Sequence, residues 1–182
     1  MLELNFNPFP ELMSERLLLR RITMHDAADF LKIRSDINAM KYIDRPIATE
    51  LEDMYKLILK INDGIDQNDA IGWGITLKNE NRLIGTIGYH IIEKEHYRAE
   101  IGYMLLPSAW KKGYMSEAIQ AVIDFGFSKM NLHSIEAKIN PDNQASAMLL
   151  KKFHFIREAY FKENYFFNGK FLDTAIYSLL HS

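Results

Sequence analysis

The stretch Arg98–Ile123, RAEIGYMLLPSAWKKGYMSEAIQAVI, decides the fold of this chain. Residues 98–106 are rich in Ile, Tyr, Met and Leu, a composition that predicts a β-strand. The Pro-Ser-Ala sequence at 107–109 interrupts that strand. A helix is predicted to follow, from Gly113 to about Lys129. The stretch therefore predicts a strand, a short loop and a helix in immediate succession.

The loop between this strand and this helix has the properties of an anion-binding site. The N–H groups in the first turn of a helix have no partner within the helix, and the helix dipole adds positive potential there. Lys111 and Lys112 add formal charge, and Gly113 allows a ligand to approach the backbone closely. The loop is too short for a Walker P-loop, and no G-x-G-x-x-G sequence is present. Spacing alone leaves two interpretations open, a pyrophosphate site or a glycine turn with solvated lysines.

The hexapeptide 110–115, Trp-Lys-Lys-Gly-Tyr-Met, resembles the acetyl-CoA loop of the GNAT superfamily of N-acetyltransferases. That loop has the form Gln/Arg-x-x-Gly-x-Gly/Ala, and Gly113 stands at its fourth position. Trp110 at the first position is similar to the ribosomal-protein N-terminal acetyltransferase branch, whereas Met115 replaces a small residue. The resemblance implies acetyl-CoA as cosubstrate, with contacts from Lys111, Lys112, Gly113, Tyr114, Met115 and Ser116.

A second resemblance to the same branch lies at residues 143–155, which follow its N-x-x-S…K-x-G-F pattern except that His154 replaces the glycine. Asn143 and Ser146 are three residues apart on one predicted helix and therefore share a face. The resemblance implies that both contact the cofactor and that Ser146 is catalytic, stabilising the departing thiolate. The residues alone leave another interpretation, in which Asn143 only caps the helix and Ser146 is a small surface residue.

Acetyl transfer from a thioester to an amine sets three chemical requirements. The amine must be neutral, the carbonyl oxygen that becomes negative needs a hydrogen-bond donor, and the leaving thiolate must be protonated or stabilised. An α-amine has a pKa of about 7.7–8.0 and a lysine about 10.4. A larger fraction of an α-amine is therefore already neutral at neutral pH, and it depends less on a general base.

Glu100 is the first candidate for the base. The Ala-Glu-Ile sequence at 99–101 stands where several GNAT enzymes carry a catalytic glutamate, and a glutamate between apolar strand residues is unusual. It would act through a water molecule. The alternative is that Glu100 is an ion-pair partner of Arg98 or of a lysine. The tyrosine that many GNAT enzymes use as the acid falls on Leu150, so that acid is absent.

Glu163 is the second candidate for a catalytic glutamate. The ribosomal-protein branch pairs its serine with a glutamate shortly before the last hairpin. Counted from the hairpin signal Asn168-Gly169, that position is Tyr165, and Glu163 lies two residues away on the same predicted strand face. Glu136, on another core strand, is a third and weaker candidate.

The donor to the carbonyl oxygen that becomes negative is expected on the backbone at the end of the strand predicted at residues 98–106. A bulge near Met104, Leu105 and Leu106 would leave backbone groups unpaired. The amide-rich pantetheine arm of the cofactor would pair with that strand as a peptide does. The resemblance therefore adds these three residues to the expected cofactor-binding set.

The whole chain predicts one α/β (α+β) domain over residues 1–182, a GNAT fold with a mixed, mostly antiparallel sheet flanked by helices. Its 182 residues are 48% hydrophobic with a formal net charge of -2, which suits one core. The predicted order is β-α-α-β-β-β-α-β-α-β-β. Strands are predicted at 15–22, 70–77, 82–92, 98–106, 134–139, 155–167 and 171–180, and helices at 23–34, 50–62, 113–129 and 143–152.

Composition also excludes several classes of function. The chain has no cysteine, and its six histidines have no i, i+4 spacing, so no metal site is expected. No apolar run reaches the roughly 18 residues of a membrane span, and the N-terminus does not resemble a secretory signal. The near-neutral charge argues against nucleic-acid binding. We therefore expect a cytoplasmic protein with no membrane or nucleic-acid partner.

The resemblance implies an acetyl-CoA-dependent N-acetyltransferase, with a ribosomal or other protein N-terminus as the first choice of amine acceptor. Two alternatives stay open: a small amine such as a polyamine or amino-sugar, or a non-catalytic acyl-CoA-binding domain. Residues 35–48 would line the acceptor pocket by the same resemblance. The assembly is expected to be a monomer or a homodimer.

Overall fold

The computed structural model describes residues 1–181, in which an eight-stranded mixed sheet is flanked by helices on both faces. The strands are β1 (Leu12–Met13), β2 (Leu17–Arg20), β3 (Ile71–Leu77), β4 (Leu83–Glu93), β5 (Arg98–Leu105), β6 (Ser134–Ile139), β7 (Ile156–Phe167) and β8 (Lys170–Leu180). The α-helices are α1 (Ala27–Ser35), α2 (Ile37–Met40), α3 (Leu51–Asp66), α4 (Tyr114–Ser128) and α5 (Gln144–Lys152). The predicted fold class is confirmed.

The sheet order is β1-β2-β3-β4-β5-β6-β8-β7, and all neighbours are antiparallel except β5 and β6. The predicted strands are present, with one unpredicted short strand, β1, ahead of them. The helix predicted from Thr23 begins as a 3-10 turn over Met24–Asp26 before α1. Within residues 1–181, no helix combines the length and the apolar character needed to cross a membrane.

Helix α3 buries Met54 and Ile58, and Ile65 extends this buried stripe by two turns. The side chains of Leu51, Tyr55 and Leu59 are exposed. This helix was predicted to end near Asn62, but it continues to Asp66 because Ile65 in its last turn packs into the core.

The helices cover opposite faces of the sheet and form two hydrophobic cores. On one face, buried side chains of α4 and α5 pack against β5 residues Ala99, Ile101 and Leu105. On the other face, α1 and α3 form a second core, against which Met104 of β5 is packed. Because successive strand residues point to opposite faces, the odd-numbered side chains of β5 face α4 and α5, and the even-numbered ones face α1 and α3.

Strands β5 and β6 pair over only three residues and then separate. Arg98, Ala99 and Glu100 of β5 lie opposite residues 134–136 of β6, and no pairing continues beyond Glu100 in the described chain. A β-bulge was predicted at the end of β5, but the register shift lies in β4, where His90 is the extra residue between Tyr89 and Ile91. The opening beside β5 therefore arises from divergence of two parallel strands rather than from a bulge in β5.

A buried ion pair fastens β2 to the start of α1. Arg20 donates through both terminal nitrogens to the Asp26 carboxylate at 2.8 and 2.7 Å. The backbone N–H of Thr23 donates to the same carboxylate at 2.7 Å. Burial alone would raise the pKa of Asp26, but the hydrogen bonds from Arg20 and Thr23 outweigh burial and hold that pKa below its ordinary value.

Candidate functional site

The loop after β5 ends in a left-handed glycine at the start of α4. Residues 107–109 form a 3-10 turn, and the Trp110 indole N–H donates to the Leu105 carbonyl at 2.7 Å. Gly113 has φ +82° and precedes the helix, which begins at Tyr114 rather than at Gly113 as predicted. No side chain caps the first turn of α4, so its N–H groups remain available to an anion.

The predicted cations of this loop are arranged around that helix start. Lys111 and Lys112 are exposed, and neither forms an ion pair with any residue from 1 to 181. Tyr114, Met115 and Ser116 form the first turn of α4. Lys152 of α5 donates to the Ser116 hydroxyl at 3.2 Å, which brings a third lysine, not predicted from the sequence, to this end of the helix.

Arg16 holds the loop in place, and sequence reasoning missed it. Its Nη2 donates to the Lys112 carbonyl at 2.9 Å, and its guanidinium lies 4.6 Å from the centre of the Tyr114 ring. It also forms an ion pair with Glu117, whose carboxylate accepts from Ser14 at 2.6 Å. Burial alone would raise the pKa of Glu117, but the hydrogen bonds from Ser14 and Arg16 hold it below its ordinary value. The loop conformation is therefore fixed by a residue 96 positions away.

Ser146 and Tyr103 form a hydroxyl pair on the α4 and α5 face of the sheet. Ser146 is buried, and its Oγ lies 2.8 Å from the Tyr103 Oη. Asn143 caps α5, since its side-chain oxygen accepts from the Ser146 N–H at 3.1 Å. Burial raises the pKa of Tyr103 to about 12, so its phenol stays protonated at neutral pH. Tyr103 was not predicted from the sequence. It supplies the phenol beside Ser146, whereas Leu150 is a buried core residue without a hydroxyl group.

The backbone of β5 presents unpaired groups to the opening. The Leu106 N–H donates to the Ile84 carbonyl of β4 at 2.8 Å, so it is not free to serve as the predicted oxyanion donor. Hydrogen bonding alternates along an antiparallel pair, which directs the Met104 N–H to β4 as well. By the same alternation the N–H groups of Tyr103 and Leu105 point away from β4, on the side where β6 has diverged. Of the predicted residues 104–106, Leu105 therefore presents the available N–H.

Glu100 lies on the opposite face of the sheet from Ser146 and is an ion-pair partner of a lysine. Its carboxylate accepts from Lys138 at 2.8 Å, and Lys138 also contacts Glu136 at 3.2 Å. The hydrogen bond to Glu100 raises the pKa of Lys138. This arrangement is the charge-pair alternative considered for Glu100, and Glu100 is also the last β5 residue paired with β6 before the opening.

Glu163 lies in a distortion of the β7–β8 hairpin. It is exposed, has φ +51°, and its N–H donates to the Asp173 carboxylate at 2.7 Å. The register shifts between Phe161 and Tyr165, so the strand alternation that was expected to place Glu163 and Tyr165 on one face does not apply there. The Tyr165 hydroxyl instead lies 3.4 Å from Nη1 of Arg45, in the loop before α3.

A group of polar side chains, here termed the acceptor-side cluster, lies on the α1 and α3 face: Arg34, Asp44, Arg45, His90 and Tyr165. The His90 ring lies against Gly102, where a β-carbon would come within 2.6 Å of it. His90 is exposed at the surface, but partial desolvation of its ring by the surrounding protein lowers its pKa, and Arg45 adds to this effect against the opposing field of Glu100. Burial also lowers the pKa of Arg34, again with a contribution from Arg45. Residues 1–181 contain no grouping of three or more His, Cys, Asp or Glu side chains suited to a metal ion.

Comparison with known proteins gives consistent matches along the chain. Residues 16–156 match the family model described as an acetyltransferase (GNAT) domain. An uncharacterised N-acetyltransferase of Bacillus subtilis, YoaA, is 36% identical over 172 residues, covering 94% of this chain and 97% of that protein. A spermidine N(1)-acetyltransferase of Vibrio cholerae is 25% identical over 173 residues, covering 93% and 96%.

Solved structures show the same architecture. A GNAT-family acetyltransferase from Bacillus anthracis superposes with a TM-score of 0.84 at 34% identity, covering 94% of this chain and 98% of that one. The ribosomal α-N-protein acetyltransferase RimL in complex with coenzyme A superposes with a TM-score of 0.85 at 23% identity, with 94% and 98% coverage. At that lower identity the second likeness shows the fold alone.

Proposed function

The chain belongs to the GNAT acetyltransferase family, and from that membership we propose that it transfers the acetyl group of acetyl-CoA directly to the α-amine of a protein N-terminus. As a member of this family it is an acetyltransferase that uses acetyl-CoA as cosubstrate. The identity of the acceptor and the roles of individual residues are the proposed part.

The opening between β5 and β6 is the observation that carries the proposal. It exposes the edge of β5 from Gly102 to Leu105, where the amide groups of pantetheine would pair as an added strand. The uncapped start of α4, with Lys111, Lys112 and Gly113, lies just after the same strand and would hold the pyrophosphate. Asn143 and Ser146 border the opening from α5 through the contact with Tyr103.

Ser146 and Tyr103 are assigned to the leaving thiolate. The acceptor nitrogen forms a bond to the acetyl carbon and releases a proton to water, the carbon–sulfur bond breaks, and the sulfur gains a negative charge. Ser146 would donate its hydroxyl hydrogen to that sulfur while accepting one from Tyr103, whose high pKa keeps it protonated. The Leu105 N–H would stabilise the carbonyl oxygen as it becomes negative.

The amine must arrive neutral on the other face of the sheet. Glu100 is assigned to accept its proton through a water molecule, because Glu100 lies where β5 and β6 part. An α-amine with a pKa of about 7.7–8.0 needs little help from such a base at neutral pH. Glu163 is a second candidate for this role, from the hairpin that reaches the loop of Arg45.

A small amine is the second candidate acceptor. The similarity to a spermidine acetyltransferase favours a polyamine. The arginines of the acceptor-side cluster oppose it, because Arg34 and Arg45 would repel a polycation. A ribosomal protein uS5-alanine N-acetyltransferase of Escherichia coli, which is 27% identical over 120 residues, supports an α-amine.

The test is a thermal melt combined with a turnover assay. A ligand at 100 times its Kd that binds only the folded state adds about 2.7 kcal/mol. For a domain of this size the Tm should rise by roughly 5–10 °C with acetyl-CoA. ATP and NAD carry a pyrophosphate but lack pantetheine, so they should raise it far less. A melt unaffected by millimolar acetyl-CoA would overturn the proposal, and a shift without acetylation of any peptide or amine would favour a non-catalytic acyl-CoA-binding domain.

A further inference from the structure

Arg34 is a half-buried arginine without an anionic partner. Its Nε is fully enclosed and has no hydrogen-bond partner in the described chain. No carboxylate of residues 1–181 forms an ion pair with its guanidinium. Arg20 shows the contrast, because its Nε is equally enclosed but both of its terminal nitrogens bind Asp26. An enclosed Nε without a partner is costly, and an anion that arrives from outside could pair with the guanidinium of Arg34.

Arg45 supplies a second positive charge beside Arg34. Arg45 lies on the loop between α2 and α3. Its Nη1 donates to the carbonyl of the preceding residue, Asp44, at 3.0 Å and lies 3.4 Å from the Tyr165 hydroxyl. The Ala48 N–H donates to the Arg34 carbonyl at 3.1 Å, so the loop that carries Arg45 lies against the end of α1 that carries Arg34. The field of Arg45 also lowers the pKa of Arg34 and of His90. Two guanidinium groups in one space repel each other, and an anion between them would relieve that repulsion.

The carboxylates nearby do not neutralise this pair. Asp44 forms no ion pair within the described residues, and burial raises the pKa of its carboxyl group, with Arg45 opposing that rise. Glu100 and Glu136 are already bound to Lys138. Partial desolvation and the field of Arg45 lower the pKa of His90, which disfavours a third positive charge here. The positive charge of Arg34 and Arg45 is therefore only partly balanced.

Building on the proposed function, we infer that the acceptor carries a carboxylate that binds between Arg34 and Arg45 while its amine reaches the opening between β5 and β6. A guanidinium matches a carboxylate with two parallel hydrogen bonds, which fixes the orientation as well as the charge of the ligand. The same chemistry is available from a free amino acid and from a peptide with an acidic side chain near its N-terminus.

The test compares acceptors that differ only in the carboxylate. One arm uses ω-amino acids of two to five carbons against the alkylamines of the same length, and the other uses Ala-Glu amide against Ala-Gln amide. We expect kcat/KM to favour the carboxylate by about tenfold or more in one arm, which also identifies its source. Arg34→Met should reduce that preference to about twofold or less. Arg82→Met, which removes an exposed guanidinium paired with Asp29, should retain it.

A binding measurement keeps the inference testable without turnover. With CoA present, the N-acetylated ω-amino acids should raise the Tm of the wild type but not that of Arg34→Met, and N-acetyl alkylamines should raise neither. Arg34→Met should melt at the wild-type temperature or above, because it removes a half-buried charge whose enclosed Nε has no partner. A lower melting temperature would show that Arg34 is paired in solution and overturn the inference.

The outcomes separate this inference from the proposed function. Equal use of charged and neutral amines, preference for spermidine, or a carboxylate preference that survives Arg34→Met would each overturn the inference while leaving acetyl transfer intact. Failure to acetylate any amine would instead contradict the proposed function, and the binding measurement alone would then decide whether a carboxylate occupies this cluster.

Discussion

The Tyr103 hydroxyl lies 2.8 Å from the Ser146 hydroxyl, although the two residues are 43 positions apart. One belongs to the strand that borders the opening and the other to the helix capped by Asn143. The pair joins the two elements assigned to the cofactor. Under the proposed function it would supply a hydrogen donor for the thiolate sulfur and a second hydroxyl that orients the first.

A double-mutant cycle should show that Tyr103 and Ser146 act together. Ser146→Ala should lower kcat about 10²-fold with little effect on the KM for acetyl-CoA, and Tyr103→Phe about tenfold. Because Tyr103 is assigned to act through Ser146, the double variant should be no slower than Ser146→Ala alone. Steady-state rates with a saturating peptide acceptor provide the measurement. Strictly multiplicative losses would mean that the two hydroxyls act separately.

Gly113→Val should raise the KM for acetyl-CoA about tenfold. A β-carbon at this position would lie 3.1 Å from Nη2 of Arg16, and its φ of +82° strains any branched residue. Gly169→Val is the matched control, because Gly169 has φ +77° but nothing within 4 Å of its β-carbon position. Both variants should lose similar stability, but Gly169→Val should keep the wild-type KM. Equal KM values for all three proteins would place the pyrophosphate elsewhere.

Arg16→Met should also raise the KM for acetyl-CoA by about tenfold, with kcat nearly unchanged. The substitution frees the Lys112 carbonyl and leaves Glu117, a negative charge, unpaired beside the expected phosphates. Arg21→Met removes an arginine that pairs with Asp66 and serves as the control. Initial rates over a range of acetyl-CoA concentrations measure the effect. A change in kcat without a change in KM would exclude the loop-positioning role.

The local features of this site could be read from the sequence, because each depends on residues close along the chain. The Gly113 turn, the Asn143 cap and the strand that precedes them are set by composition and short spacing. The order of the elements also followed from alternating apolar patterns and turn signals. The resemblance to GNAT enzymes was carried by the same short motifs.

The contacts that complete the site could not be predicted, because they join distant parts of the chain. Arg16 meets Lys112 across 96 positions and Arg45 meets Tyr165 across 120. The bulge at His90 has no marker in the sequence, since only the register of β4 against β5 reveals it. The sequence likewise left Glu100 with two interpretations, because its ion pair with Lys138 depends on which strand lies beside β5.

Glu100→Gln should remove the acidic limb of the pH dependence of kcat/KM and lower kcat/KM at least tenfold, if Glu100 accepts the proton of the amine. The substitution also breaks the ion pair with Lys138, so Lys138→Met is the control that breaks the same pair and keeps the carboxylate. Lys138→Met and Glu163→Gln should both retain the acidic limb. Loss of the acidic limb in Glu163→Gln instead would place the base in the β7–β8 hairpin. If every variant retained the acidic limb, the amine would enter the site already neutral.

The stability contributed by Asp26 should depend on pH in a defined direction. Its pKa in the folded state is lower than the unfolded value of about 3.9, so its contribution is fully present above about pH 4–5 and is lost as the pH falls through the folded pKa. Asp26→Asn imitates the protonated carboxyl group and leaves Arg20 enclosed beside a neutral side chain. At pH 7 we expect a loss of about 3–5 kcal/mol, or a Tm lower by at least about 6 °C.

The measurement is a set of melts of the wild type and Asp26→Asn between pH 8 and pH 3. The difference in Tm should stay constant from pH 8 to about pH 5 and shrink below it, because the wild type then loses the charge that the variant already lacks. Asp63→Asn, at an exposed position on α3, should give a small difference at every pH. If Asp26→Asn lowered the Tm by the same amount at pH 3 as at pH 7, the loss of stability would come from the packing of the amide. The charge pair with Arg20 would then contribute no net stability.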